Sequence, residues 1–307
     1  MLRRTALLVC LTAACAGGEV DPREGPDASA PRDAADVAVQ QDAPRDLTSP
    51  SDATVTDDFL PLPDASAGDA AVCSGNRDNM IARSEMAFLL GATVIYAVNR
   101  PGTTVESINT AAAATGGSRV WDFSAANAAD TRVLDEVLSP RGMWWASSYG
   151  DATFAAVIDR STNLLGVYRV SDAALELLGT VSTEANRTNL RFTPPVAVLR
   201  FPLRVGSSWE QTVNGTGFVN FTPLNNVTRY ANVIDSAGEV WTPAGRFPAL
   251  RMRTDLDQSI PLTVFRVTRR TFTFISECWG VVARVASVDN ETSEELRRAS
   301  EYRRLGL

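Results

Sequence analysis

The sequence predicts an all-β fold, predominantly antiparallel, shaped as a twisted sheet or half-barrel. Three observations carry this. Short runs rich in Val, Ile, Thr and aromatic residues recur along 73–307, and such residues suit a pleated, half-buried surface. Turn formers separate the runs. Beyond the first fifteen residues no stretch of about twenty apolar residues occurs, so no membrane-spanning helix is expected.

The expected strands are 93–98, 153–158, 164–170, 209–213, 247–252, 262–275 and 279–288. Between them stand Asn99-Arg100-Pro101-Gly102, Gly116-Gly117, Tyr149-Gly150-Asp151, Asn214-Gly215 and Pro243-Ala244-Gly245. Asn-Gly is a strong hairpin signal, so a turn is expected at Asn214-Gly215. The stretch 290–305 fits two patterns. Thr292 and Glu295 could form a capping box, with Leu296, Ala299 and Leu305 on one helix face. Arg297 and Arg298 in mid-segment and the β-favouring Tyr302 argue instead for a closing strand hairpinned on 279–288.

Spacing also hints at a repeat. Gly91-Ala92-Thr93-Val94-Ile95-Tyr96-Ala97-Val98-Asn99 aligns without a gap on Gly206-Ser207-Ser208-Trp209-Glu210-Gln211-Thr212-Val213-Asn214. Val120-Trp121 is answered by Val240-Trp241, and 165–170 by 279–285, in the same order. Two related lobes, 73–200 and 201–307, would explain this. Coincidence among common strand residues is the alternative.

Composition divides the chain. Residues 16–72 are dominated by Ala, Asp, Pro and Ser, with few large apolar side chains, Phe59, Leu60 and Leu62 among them. Such a segment cannot offset its chain entropy by burial, so a disordered linker is expected. It holds 13 acids against 3 Arg, whereas 73–307 holds 23 acids against 24 Arg. The overall charge of −7 therefore belongs to the linker. A near-neutral domain offers no electrostatic footprint for nucleic acid. Like charges should extend the linker, whose flexible-coil span would be roughly 40 Å.

The chain has no His, and Arg is its only basic residue type. Lacking His, it cannot build Ser-His-Asp or Cys-His nucleophile systems or most zinc and copper sites. Lacking Lys, it cannot build Schiff-base or P-loop chemistry. No catalytic set, cofactor or metal site is expected.

The N-terminus carries the most specific signal. Met1-Leu2-Arg3-Arg4 is a basic start, 5–14 is apolar and small, and Leu11-Thr12-Ala13-Ala14-Cys15 ends the run. This is the layout of a secretory signal peptide, 1–14. With cysteine first after the cut, it resembles the lipobox of bacterial lipoproteins. The resemblance implies a lipid on Cys15, membrane attachment through that lipid, and 15–72 as the tether. Ala16 and Gly17 are not acidic, which by resemblance to Gram-negative lipoproteins implies the outer membrane, on its periplasmic or surface face. In that oxidising compartment Cys73 and Cys278 most simply pair. Unpaired buried thiols are the alternative. A bridge closing about 200 residues would contribute somewhat over ~4.7 kcal/mol in the chain-entropy account.

A second resemblance covers part of the folded region. Gly116-Gly117-Ser118-Arg119-Val120-Trp121-Asp122-Phe123-Ser124 is similar to a Trp-Asp-Phe-Ser signature of uncharacterised exported bacterial β proteins. Phe201-Pro202-Leu203-Arg204-Val205-Gly206-Ser207-Ser208-Trp209 and 240–251 are similar to further signatures of such proteins. The latter also resembles lipoprotein carriers of the LolA/LolB kind. The likeness implies an antiparallel half-barrel around an apolar interior and assigns no catalytic residue.

Several clusters have two readings. Trp144, Trp145 and nearby Tyr149 could rim an apolar ligand or stack on sugar. Alternating strand residues facing in and out is the simpler account. Trp121, Trp209 and Trp241 are expected in the core, and Trp279 against the disulfide. Asp255-x-Asp257 could ligate calcium but reads more simply as a solvated strand end. Glu239, Asp255 and Asp257 could supply a glycosidase-like carboxylate pair, but nothing in the sequence places two of them at the needed separation. Asn186, Asn214, Asn220, Asn226 and Asn290, though in sequons, read as turn and edge residues. Arg297, Arg298, Arg303 and Arg304 could meet phosphate, or form a solvated face with Glu294, Glu295 and Glu301.

The function expected is non-catalytic. A lipid-anchored envelope protein would bind an apolar ligand or another envelope component on a concave β surface. The alternatives are a structural or adhesion module displayed at the cell surface, and a carboxylate-based hydrolase.

Overall fold

A computed structural model describes Cys73 and residues 75–306, apart from 116, 117, 160, 161 and 262. Cys15, the signal-like segment and the acidic stretch 16–72 lie outside the described residues.

Strand follows strand along the chain. In order they are β1 (Met80–Ile81), β2 (Thr93–Asn99), β3 (Val105–Glu106), β4 (Ala113–Thr115), β5 (Ser118–Asp122) and β6 (Asp130–Leu138). Next come β7 (Phe154–Asp159), β8 (Leu164–Val170), β9 (Ala174–Ser182), β10 (Asn189–Arg200), β11 (Leu203–Arg204) and β12 (Ser208–Val219). The last are β13 (Thr222–Thr242), β14 (Gly245–Ser259), β15 (Arg266–Ser276), β16 (Gly280–Ala286), β17 (Arg298–Ala299) and β18 (Glu301–Leu305). Among the described residues, helix is confined to two short 3-10 turns, Arg83–Glu85 and Ala146–Ser148.

Twelve strands close into a barrel. Around the ring they run β12, β10, β9, β8, β7, β6, β2, β18, β16, β15, β14, β13, and β13 pairs back onto β12. Neighbours in the ring are antiparallel, and closure leaves no open edge. Among the described residues the one parallel pairing is outside the ring, where β5 lies along β13 with Val240 opposite Trp121. Residues 73–200 and 201–307 share this ring, because β10 pairs β12 and β2 pairs β18. The two glycines that open the aligned motifs, Gly91 and Gly206, are both left-handed, with φ of 77° and 91°.

The 290–305 stretch ends in β18, hairpinned on β16 as its Tyr302 favours. The hairpin expected at Asn214-Gly215 is elsewhere. β12 runs straight through both residues, and Gly215 pairs with Phe192 on one side and Asn226 on the other. Gly215 serves close approach: a Cβ there would stand 2.2 Å from Asn226 Oδ1. The turn is Asn220-Phe221, with φ of 46° and 62°.

Period-two alternation splits each wall into a lumen face and an outer face. Along β13 the inward positions include Tyr230, Asn232 and Ile234. Two apolar layers then cover parts of the outer face. Trp121, Phe123 and Leu296 pack over Phe272, Phe274 and Val285. Trp145 and Tyr149 pack over Ala155, Leu165, Val167 and Val181. Cys73 is disulfide-bonded to Cys278, tying the start of the described chain to the β15–β16 turn. There Cys278 N–H donates to Glu85 O at 2.8 Å.

Candidate functional site

A partly open cavity of about 360 Å³ lies within the barrel, bordered by every ring strand except β12. That volume lies within the usual range for small-molecule pockets. Most of its wall is apolar: Phe154, Leu175, Leu177, Val196, Leu199 and Met252 face it. Phe88 turns in from the loop before β2 and stacks on Phe154 at 5.6 Å, and Phe154 stacks on Tyr168 at 5.0 Å. Met86 and Trp279 complete that end.

One side of the wall is polar. Arg303 donates from Nε to Glu301 Oε1 at 3.0 Å and from a terminal nitrogen to Asp135. Arg284 donates to Glu301 Oε2 at 3.1 Å. The result is a chain of alternating charges, Arg284–Glu301–Arg303–Asp135, across β16, β18 and β6. Tyr96 lies beneath the Arg303 guanidinium, 5.2 Å from ring centre to Cζ, and donates to Val281 O at 2.8 Å. Burial pushes the Tyr96 hydroxyl up to about 12. Charges held away from water are tolerated when each has a partner, and this chain supplies one to each.

The wall is thinnest between β6 and β7. These strands share only the pairs Val137–Ala156 and Leu138–Ala155. Asp135 and Ile158, which border the cavity, lie beyond the last pair on either side.

The aromatic patch expected to rim a ligand lies elsewhere. Trp145 and Tyr149 are 1% and 2% exposed and belong to the outer layer over β7–β9. Trp144 packs against the same layer and donates to Ser182 O at 3.0 Å. The Tyr149 hydroxyl donates to Leu190 O at 3.1 Å. None of the three borders the cavity. The segment is anchored as packing because Met143-Trp144-Trp145 faces a wall of Ala and Val.

Other expectations divide. Trp121 and Trp209 are core, their indole N–H groups bound to Thr110 O and Ala197 O. Trp241 is only half-buried, with Arg246 stacked 4.1 Å above it. Trp279 is 51% exposed and packs edge-on against Phe247 at the cavity rim. Asp255 and Asp257 are on the outer face, paired with Arg270 and Arg266, each at 2.6 Å. Glu239 accepts from the Trp241 indole. These carboxylates therefore do not converge on the cavity, and among the described residues no three acidic or sulfur groups are placed to hold a metal. The C-terminal arginines divide: Arg297 and Arg298 are exposed, as a solvated face requires, whereas the last two are not. Arg304 is fully buried against Asp130 and the carbonyl of Ala125, and Arg303 faces the lumen. Asn186, Asn220 and Asn290 are left-handed turn residues, while Asn214 and the buried Asn226 are within strands.

No protein-family model matches the chain, and no curated protein is similar to it. Solved structures include one likeness, a crystal structure from Parabacteroides distasonis ATCC 8503 described as that of a candidate lipoprotein. It shares 9% identity over 72% of this chain and 96% of its own, with a TM-score of 0.32. Likeness at that level carries no argument about fold or role. Neither the Trp-Asp-Phe-Ser nor the LolA/LolB resemblance is carried by these matches.

Proposed function

We propose that this chain is a bacterial envelope lipoprotein whose barrel binds an apolar small molecule in its lumen. The observation that carries the reading is the cavity of about 360 Å³ inside the ring, with its mostly apolar wall. Transfer of a chain of about ten methylenes into such a wall contributes about 8 kcal/mol. That exceeds the lower estimates of what association costs. Attachment follows from the lipobox-like end at Cys15, with 16–72 as the tether and the outer membrane as destination. The role proposed is binding: Asp135 and Glu301 are held in ion pairs with Arg303 and Arg284.

The test uses the chain with Cys15→Ser, which removes the acylation site and leaves every described residue intact. The neutral fluorophore N-phenyl-1-naphthylamine should brighten on mixing. Ala156→Phe, which fills the lumen beside the β6–β7 seam, should reduce that uptake at least several-fold while far-UV circular dichroism stays unchanged. No brightening, or uptake indifferent to Ala156→Phe, would remove the reading. Labelled palmitate should mark the unaltered chain and not the Cys15→Ser chain.

A further inference from the structure

Hydrogen-bonding capacity in the lumen is unevenly used. Arg284 and Arg303 are direct cross-strand partners on β16 and β18, and both border the cavity. Like charges so placed repel, and Glu301 sits between them with one oxygen for each. Arg303 gains a second acid, Asp135. Arg284 gains none. Of the five donors of its guanidinium, one is engaged, and among the described residues nothing else accepts from it. Its side chain is nonetheless only 12% exposed. Burial pushes its pKa down, and Glu301 only partly opposes this.

Tyr168 stands across the lumen on β8. Its ring folds over Gly166, where a Cβ would come within 2.7 Å of the phenol oxygen. Its hydroxyl donates to no partner among the described residues, although the ring borders the cavity and stacks on Phe154. Burial lifts this hydroxyl to about 12, and the charges of Arg284 and Arg303 reach it and act the other way. Hydroxyl and guanidinium thus offer unspent donors to one space. A ligand that brings an acceptor into that space can take hydrogen bonds from both groups.

Resting on the lumen-binding reading, we infer that the ligand is an anionic amphiphile, its carboxylate-like head held by Arg284 and Tyr168 and its tail along the Phe154–Leu175–Met252 wall. The arginines at the cavity are already matched by acids, with Arg269 paired to Asp289. What is unmatched is donors, which suits a head group with a single charge and two acceptor oxygens. Hydrogen bonds to a charged acceptor are stronger than those to a neutral one, so the acid should be preferred over its ester.

The experiment displaces N-phenyl-1-naphthylamine from the Cys15→Ser chain with decanoic acid, methyl decanoate or decyl phosphate at pH 8. Decanoate should displace the probe at about tenfold lower concentration than the ester, or better. Arg284→Met should bring that ratio close to one, and the conservative Tyr168→Phe should lower it, each ratio being taken against the variant's own directly measured affinity for the neutral probe. Decyl phosphate matching decanoate would assign the head site to anionic oxygen in general, and a weaker phosphate would assign it to carboxylate. Equal displacement by acid and ester, or an acid preference that survives Arg284→Met, overturns this inference and leaves the lumen reading standing. Failure of the neutral probe to bind overturns both.

Discussion

Arg251 lies where the barrel wall meets its outer layer. It grips Asp235 through two nitrogens at 2.8 and 3.0 Å, and reaches Glu295 at 2.9 Å and Thr110 O at 2.7 Å. Its guanidinium lies 4.6 Å from the Phe272 ring centre and 5.6 Å from that of Trp121. Replacing it with Met keeps the bulk but leaves two half-buried carboxylates unpaired. Arg251→Met should destabilise the protein by about 3–5 kcal/mol, read as a lower urea midpoint at unchanged slope. Arg251→Lys should recover little of this, because an ammonium cannot span both acids. Sequence placed Arg251 in a strand but gave no sign of its burial, since an arginine in a Val/Leu run reads as outward and solvated. The aromatic patch at Trp144, Trp145 and Tyr149 shows the same limit. Large rings announce burial, yet which surface they bury against depends on where the chain folds back.

Of the β12–β13 hairpin, only part of the first strand was readable, as 209–213, and its turn was expected too early. Asn214-Gly215 carries the turn signal, and the real turn, Asn220-Phe221, puts a left-handed backbone on a bulky residue that is 70% exposed. Such a conformation strains a residue with a Cβ by about 1–2 kcal/mol. Phe221→Gly should therefore stabilise the protein by about 0.5–1 kcal/mol after the entropy glycine adds to the unfolded chain. Thermal unfolding followed by circular dichroism would show it, and a fall in midpoint would contradict the account. β13, the longest strand, was invisible as such. Its inward positions include Asn226, Thr228 and Asn232, so the hydrophobic alternation that marks a strand is missing. β6 was hidden for a related reason. Its acids Asp130 and Asp135 look solvated in sequence, and they are partners for Arg304 and Arg303 from the far end of the chain.

All five tyrosines have hydroxyls raised above their usual value, chiefly by burial: Tyr96, Tyr168 and Tyr302 to about 12, Tyr149 and Tyr230 further. A raised folded-state value means the native protein holds the proton more tightly than the unfolded chain. Stability is then constant below about pH 10, where unfolded tyrosine begins to ionise, and falls as pH rises from there towards 12. Absorbance at 295 nm should stay flat past pH 10 and rise in one step together with loss of the circular dichroism signal. An independent tyrosinate titration centred near 10 would show that at least one ring is not enclosed as described. Closure of the ring, with β18 laid beside β2 and β13 beside β12, encloses Tyr96, Tyr168 and Tyr230, while the outer layers cover Tyr149 and Tyr302. From the amino-acid sequence alone came the all-β class, seven of the strands in outline, the cysteine pairing and the exclusion of histidine- and lysine-based chemistry. These depend on local propensity and on composition, which need no partner segment. Closure of the barrel, the cavity within it and the side chains facing that cavity were decided only in three dimensions. Residues such as Asp135, Tyr168, Arg284 and Arg303 acquire their roles from neighbours more than a hundred positions away, and no local pattern encodes such a meeting.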